Sequence, residues 1–339
     1  MSLNTFELLG GLVEVSGVSG NENNVVEYAK GLLDKYGKTE TGVLGSVLCK
    51  VGEYYENRPD MLIDAHIDEI GMIVTYITDD GFLKVSGVGG LDNRVLPGQR
   101  VKICTDDTVL DGVIVSTPPH LSHGDKNAAD IDDICIDTGL TKSEAASKIS
   151  LGDRVYIANS LERLCGERVT SHALDNRAGC AAVILALDML DMSKLKYNLC
   201  VMLSTQEEVG ERGAKTGSFS VKCDKAVIVD VSFAHTKGES VSQCGELGKG
   251  AMIGFAPSLS REMSNEMKQT AEENGIPFQI EIMSGKTGTN ADVIGVSGCG
   301  AKTVTLSVPI KHMHTPAEVV DMTDIENSAK LICAYLERN

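Results

Sequence analysis

The segment 200-CVMLSTQEEVGERGAKTG-217 decides the fold, because an apolar run ends there on two adjacent glutamates, Glu207 and Glu208. A short apolar run bounded by turn residues is typical of a fully buried strand. Adjacent glutamates are usually a solvated surface pair, but they seldom follow such a run directly. The segment therefore predicts a core strand whose carboxyl end carries charged groups with a function.

Strands and helices alternate along most of the chain. Residues 3–15 and 22–37 repeat apolar positions at helical spacing, whereas 45–52 and 61–68 are short apolar runs typical of strands. Further helices are predicted at 177–190, 261–274 and 324–337, and further strands at 198–205, 226–231 and 302–309. This alternation predicts an α/β three-layer sandwich around a mixed, mostly parallel central sheet.

The sequence changes in character between Glu69 and Leu161. Short β-like segments there are separated by DDG, GVGG, PG and PP, and one short helix is predicted at 141–149. This spacing is typical of a small β-barrel or sandwich. We therefore predict an α/β domain in two parts, residues 1–68 and 162–339, interrupted by an inserted β-rich domain at 69–161.

Composition excludes some partners. Acidic residues outnumber Lys and Arg by 48 to 31 in 339 residues, and the net charge of −17 would repel nucleic acid and anionic membranes. No segment resembles a signal peptide or a membrane span of about 18 apolar residues. The ten cysteines form no C-x-x-C pair, which favours free thiols in a reducing compartment. We expect a cytoplasmic protein that binds neither nucleic acid nor membrane.

Ionisable side chains follow several predicted core strands. In α/β sheets, ligands bind outside the carboxyl ends of the strands, so these side chains could converge. Each has an ordinary alternative when taken alone: a core histidine, a helix-capping aspartate or a solvated glutamate. Together they predict one pocket, formed by His66, Asp68, Asp175, Glu207, Glu208, Asp230 and His314.

Several carboxylates in one pocket require a counter-charge, because each buried ion loses its hydration and repels the others. Histidines mixed with carboxylates suit zinc, cobalt or manganese better than calcium or magnesium. A shared carboxylate could bridge two ions at about 3.5–4 Å, and Asp175 is the candidate. Because neighbouring side chains in an extended segment point to opposite sides, one of Glu207 and Glu208 could bind metal while the other takes a proton from water.

Five motifs carry a resemblance to a known family: DAHIDEIG, ALDNRAG, TQEEVGERGA, VDVSFAH and PIKHMHTPAEV. Together with GGLDNRVLPGQRV, TPPHL and DIDDICIDTG in the inserted region, the chain resembles the glutamyl aminopeptidase or "cellulase M" family of di-metal aminopeptidases, of the tetrahedral (TET) type. The resemblance implies a zinc-exopeptidase-type fold with an inserted β-barrel, PDZ-like dimerisation domain. It also implies a homododecamer built from dimers.

The same resemblance implies two divalent metal ions per subunit, zinc or cobalt and possibly manganese, and a role for each residue of the predicted pocket. Metal-assisted hydrolysis would then remove N-terminal residues from peptides with a free N-terminus. His66 and Asp230 would bind one ion, Glu208 and His314 the other, Asp175 would bridge them, Glu207 would be the general base, and Asp68 would orient His66.

Two alternatives remain beside the aminopeptidase. An endo-1,4-β-glucanase-type glycoside hydrolase also uses two carboxylates, but it needs no histidine, and the chain has no Trp for stacking sugar rings. An inactive metal-binding assembly protein would have no use for Glu207. The loop 284–293 resembles a family loop near the substrate or is an ordinary turn, and His120 in TPPHL is interpreted as a surface histidine.

Overall fold

The computed structural model describes residues 3–116, 130–236 and 244–338. Its α-helices are α1 Thr5–Glu14, α2 Asn23–Leu33, α3 Lys142–Lys148, α4 Leu174–Met189, α5 Arg212–Ser220, α6 Arg261–Asn274, α7 Ala291–Ile294 and α8 Met322–Glu337. Its strands are β1 Gly37–Thr41, β2 Val47–Val51, β3 Asp60–His66, β4 Gly71–Ile77, β5 Leu83–Val88, β6 Arg100–Cys104, β7 Val109–Val115, β8 Cys135–Asp137, β9 Arg154–Ile157, β10 Glu162–Arg163, β11 Arg168–Ser171, β12 Asn198–Ser204, β13 Lys225–Phe233, β14 Ala251–Phe255, β15 Phe278–Ile282, β16 Lys302–Lys311 and β17 Glu318–Asp321.

One large mixed sheet forms the centre of the molecule. Its strands are ordered β1-β2-β12-β3-β13-β16-β17-β11-β10, and β14 and β15 extend from β16. The four central strands β12, β3, β13 and β16 are parallel to one another. The strands β1, β2, β17, β11 and β10 pair antiparallel on the two flanks. The parallel centre brings the carboxyl ends of four strands to one edge, as the sequence predicts.

Helices cover both faces of this sheet, which gives the three-layer α/β sandwich. Met61 and Ile63 of β3 pack in a core with α1, α4 and α8, whereas Leu62 between them packs on the other face with residues of α5 and α7. Burial on both faces explains why the central strands are continuous apolar runs. Helix α4 is buried from Leu174 to Leu187, so it forms the centre of its layer.

Local signals set the helix ends. The Ser260 side chain accepts a hydrogen bond from the Met263 N–H at the start of α6, and Gly275 ends that helix at φ 63°. Thr141 and Glu144 form a capping box at the start of α3, the short helix expected in the inserted region. The predicted helices at 3–15, 22–37, 261–274 and 324–337 correspond to α1, α2, α6 and α8.

The inserted region contains a closed barrel of six strands, ordered β4-β5-β8-β7-β6-β9. Its core is a separate cluster that includes Met72, Val101, Ile136 and Val155. The barrel is distinguished from the sandwich because its core is separate from the core of the large sheet. The domain boundaries at 68/69 and 161/162 stay a prediction.

Within the described residues, no helix combines the length and apolar character that crossing a membrane requires.

Candidate metal centre

The central strands position three of the predicted side chains. His66 is the last residue of β3, and it lies beside Ser204, the last residue of β12, in register. Asp230 lies on β13 opposite Ser307 of β16, and His314 follows the end of β16. The carboxyl ends of these strands lie next to one another because the strands are parallel neighbours in the sheet.

Asp175 reaches the same edge from the first turn of α4. Asp175 and Asn176 have non-helical backbone angles and are joined by a cis peptide bond, so the regular helix begins after them. The Asn176 side chain donates to the carbonyl of Val229 at 2.8 Å and accepts from the Gly179 N–H at 3.0 Å. This buried amide ties the turn that carries Asp175 to β13, next to Asp230.

The side chains form two triads that share Asp175. His66 Nε2 lies 3.0 Å from Asp175 Oδ1 and 3.6 Å from Asp230 Oδ1. His314 Nε2 lies 3.4 Å from Asp175 Oδ2 and 3.5 Å from Glu208 Oε2. The ligand atoms in each triad are all within 4.8 Å of one another, a spacing that could hold a metal ion. Asp175 therefore presents one oxygen to each triad.

The charges of these groups show that the cluster attracts positive charge. Burial by itself would lower the pKa of His66, but the contacts with Asp175, Asp230 and Asp68 raise it well above its usual value. Contacts with Asp175 and Glu208 raise the pKa of His314 to about 11. The carboxylates therefore stabilise positive charge on both imidazoles. Divalent cations would neutralise the same carboxylates and use the same nitrogen and oxygen atoms as ligands, so these residues fit a two-metal centre.

Glu207 lies beside the triads. Its carboxylate is within 4.8 Å of ligand atoms of His66 and Glu208. Burial, together with the charges of Asp230 and Glu208, raises the pKa of Glu207 to about 9. Glu207 thus has a strong affinity for a proton at the edge of the centre.

Asp68 supports both the first histidine and the glutamate pair. Its carboxylate is fully buried and accepts from Glu207 N at 3.0 Å, Glu208 N at 3.3 Å and Ser19 Oγ at 2.6 Å. His66 Nδ1 lies 3.2 Å from the Asp68 carbonyl oxygen and 3.5 Å from its carboxylate Oδ1. Asp68 therefore contacts the second ring nitrogen through both groups and also fixes the backbone of the glutamates.

Glu318 was not predicted as a site residue, although the motif PIKHMHTPAEV contains it. Its buried carboxylate accepts from Asp175 N at 3.0 Å and from His314 N at 2.8 Å. Glu318 thus ties together the backbones of two residues that lie far apart in the sequence. Its position four residues after His314 was the available signal.

The centre opens into a cleft of about 260 Å³. His66, Asp175, Glu207, Glu208, Asp230 and His314 line it, together with Val231, Ser232, Phe233, Glu281, Met283, Thr287, Gly288, Thr289, Ser307 and Met313. This volume is close to the lower end of the range that is usual for small-molecule sites, about 300–1,000 Å³. Residues 287–289 belong to the loop 284–293, so part of that loop lies beside the centre. His120 lies outside the described residues.

A family model described as M42 glutamyl aminopeptidase matches residues 45–331. Among curated proteins, a lysyl aminopeptidase from Pyrococcus furiosus is 31% identical over an alignment of 342 positions, and this alignment covers 98% of this chain and 96% of that protein. These matches extend across both the α/β sandwich and the barrel.

Solved structures agree with this result. An aminopeptidase from the archaeon Desulfurococcus kamchatkensis superposes with a TM-score of 0.93 at 31% identity, covering 98% of this chain and 94% of that one. The TET1 peptidase of Pyrococcus horikoshii can assemble into a tetrahedron or a large octahedral shell. It superposes with a TM-score of 0.86 at 33% identity, and the alignment covers 98% of each chain. A Thermotoga maritima structure named an endoglucanase superposes with a TM-score of 0.79 at 27% identity, covering 96% of this chain and 95% of that one.

Proposed function

We propose that this chain, which belongs to the M42 glutamyl aminopeptidase family and is a metallo-aminopeptidase, removes N-terminal residues from peptides with two divalent ions and Glu207 as the general base. The observation that carries the proposal is the position of Asp175 between two imidazoles, with one oxygen 3.0 Å from His66 and the other 3.4 Å from His314. A carboxylate in that position suits a bridge between two ions.

In this proposal, His66 and Asp230 would hold one ion, Glu208 and His314 would hold the other, and Asp175 would offer one oxygen to each. Zinc, cobalt and manganese suit this mixture of nitrogen and oxygen ligands. When bound, the ions would acidify a water molecule and polarise the peptide carbonyl group. Asp68 keeps His66 oriented, and Glu318 keeps Asp175 and His314 at their spacing.

Glu207 carries the proton in this reaction. Its backbone is fixed by Asp68, while its side chain lies beside His66 and Glu208 and lines the cleft. Positive charge bound beside Glu207 would lower its raised pKa, which would help the carboxylate both to accept and to return a proton. Glu207 therefore takes a proton from the attacking water and delivers it to the leaving amine.

Assembly belongs to the same proposal. The TET1 peptidase similar to this chain assembles into closed shells, and we propose a homododecamer built from dimers that the β-barrel at 69–161 joins. Such a shell would limit access to small peptides with a free N-terminus. A cytoplasmic location, where such peptides arise from protein turnover, fits this role and stays a prediction.

A glucanase activity is the second candidate, because one similar structure is named an endoglucanase. Among the described residues that line the cleft, Phe233 is the one Phe, Tyr or Trp side chain, which gives little surface for stacking on sugar rings. Incubation with aminoacyl chromogenic amides and with a β-glucan separates the candidates. Release from the amides alone is expected, whereas sugar release that survives Glu207→Gln would favour the glucanase.

The substitution Glu207→Gln tests the proposed base. Loss of a general base should lower kcat by about 10²–10⁴-fold, whereas both metal ions should remain because their ligands are intact. Glu208→Gln is the matched control, since it changes the neighbouring residue in the same way and should reduce metal content, measured by plasma mass spectrometry. If Glu207→Gln loses an ion and Glu208→Gln keeps both, the two roles are assigned the wrong way round.

A further inference from the structure

A fifth carboxylate, Glu281, lines the cleft without belonging to either triad. It lies on β15, and its carboxylate reaches across to two central strands. Its carboxylate accepts hydrogen bonds from the Ser232 hydroxyl of β13 and, at 3.0 Å, from the Ser307 hydroxyl of β16. Two donors from two strands hold the carboxylate in place, and a carboxylate can accept about four hydrogen bonds, so capacity for a ligand remains.

The strands place Glu281 one step along the cleft from the proposed metal centre. Ser307 lies opposite Asp230 in the parallel register, and Ser232 is two residues beyond Asp230 on the same face of β13. At about 3.3 Å per residue, a carboxylate between these serines lies roughly 5–7 Å from Asp230. That separation matches the length of a lysine or arginine side chain from its Cα atom.

The charge around Glu281 favours a cation. The four carboxylates Asp175, Glu207, Glu208 and Asp230 would be balanced by two divalent ions, which leaves Glu281 uncompensated. No Lys or Arg is among the described residues that line the cleft. Two methionines, Met283 and Met313, also line the cleft, and their apolar side chains suit the methylene stem of a long basic side chain.

We propose that Glu281 is a specificity residue that binds the ammonium or guanidinium group of a basic N-terminal residue, so that the enzyme prefers lysine and arginine at that position. This inference rests on the proposed function of the same cleft. Ser232 and Ser307 orient the carboxylate, the apolar walls contact the stem, and the uncompensated charge repels an acidic side chain.

The wild-type enzyme gives the first test, with lysine, arginine, norleucine, Nε-acetyl-lysine and glutamate chromogenic amides. Norleucine keeps the straight chain of lysine without its ammonium group, and acetyl-lysine keeps the nitrogen without its charge. We expect kcat/KM for lysine to exceed that for norleucine and acetyl-lysine by about 10-fold or more, the size of a hydrogen bond to a charged group, with glutamate the poorest substrate. Equal values for lysine and norleucine would overturn the inference.

Glu281→Gln tests the residue itself. We expect kcat/KM for the lysine amide to fall by about 10- to 150-fold, and that for norleucine to fall far less. Glu211→Gln is the matched control: it removes the same charge from a partly buried carboxylate that interacts electrostatically with Asp230 but does not line the cleft. Calorimetric binding of free lysine and norleucine to both variants provides a measurement that is independent of turnover.

Each remaining outcome has a defined meaning. Equal losses with lysine and norleucine in Glu281→Gln would mean that the residue binds the α-ammonium group common to all substrates, and would overturn the inference. A variant that does not fold leaves the wild-type comparison decisive. Hydrolysis of norleucine amide without a preference for lysine would refute the specificity alone, whereas failure to hydrolyse any aminoacyl amide would refute the proposed function.

Discussion

The substitution Asp68→Asn should weaken both the fold and the proposed metal centre. The Asp68 carboxylate is fully buried and accepts the backbone N–H groups of Glu207 and Glu208 on different oxygens, at 3.0 and 3.3 Å. An asparagine retains one acceptor oxygen and replaces the other with an NH₂ group. The Ser19 hydroxyl can rotate to accept from that NH₂ group, but a backbone N–H cannot, so one glutamate N–H loses its acceptor.

The magnitude follows from these contacts. A lost hydrogen bond to a charged acceptor, with its donor still buried, costs about 1.5–3 kcal/mol of unfolding free energy. The substitution also removes the negative charge 3.5 Å from His66 Nδ1. Loss of such support to a metal-binding histidine typically reduces metal affinity by about 10–100-fold.

Two measurements check this prediction. Thermal denaturation of metal-free protein should show a lower midpoint for Asp68→Asn, and competition with a chelating dye should show weaker binding of the first ion. Ser19→Ala is the control, because it removes one hydrogen bond to the same carboxylate, at a comparable cost of about 1.5–3 kcal/mol, and leaves both backbone contacts and the charge beside His66 in place. Metal affinity equal to wild type in Asp68→Asn would refute the reasoning that Asp68 supports His66.

Two further predictions concern pH and metal. Burial raises the pKa of Glu22 from its ordinary value of 4.5 to about 7, so the folded state binds the proton more tightly and stability falls as the pH rises between these values. Glu22→Gln should therefore stabilise the protein more at pH 8 than at pH 5, by up to roughly 3 kcal/mol. Denaturation midpoints that shift equally at both pH values would contradict this prediction. Removal of metal with a chelator should abolish hydrolysis and lower the denaturation midpoint, and added Co²⁺ or Zn²⁺ should restore both. Full turnover by protein that is confirmed to be metal-free would exclude the proposed mechanism.

Local patterns predicted the elements that are strongly periodic or buried on both faces. The runs at 61–68, 198–205, 226–231 and 302–309 correspond to β3, β12, β13 and β16. Burial on both faces requires apolar residues at consecutive positions, so these strands are visible in the sequence. The strand β1, with the sequence GKTET, was missed because an exposed flanking strand has no such requirement.

The same limit explains the residues that were missed at the site. Glu318 and Glu281 are single carboxylates that acquire their contacts from distant segments: Glu318 from the first turn of α4 and the loop after β16, and Glu281 from β13 and β16. Ser19 and Glu22 lie in the segment before α2. Ser19 is 49 residues from Asp68 in the sequence. Their contacts depend on how distant segments pack, which no local pattern records.

By itself, the sequence determined which residue types follow the buried strands, and therefore that charged groups would meet at one edge of a parallel sheet. The tertiary structure alone decided that Asp175, 109 residues from His66, presents one oxygen to His66 and the other to His314. The same holds for Glu318, which fixes the backbones of Asp175 and His314 from β17. The physical reason is that apolar burial, which the sequence pattern records, sets the order of the strands, whereas hydrogen-bond geometry depends on positions within a few tenths of an ångström that only the packed chain defines.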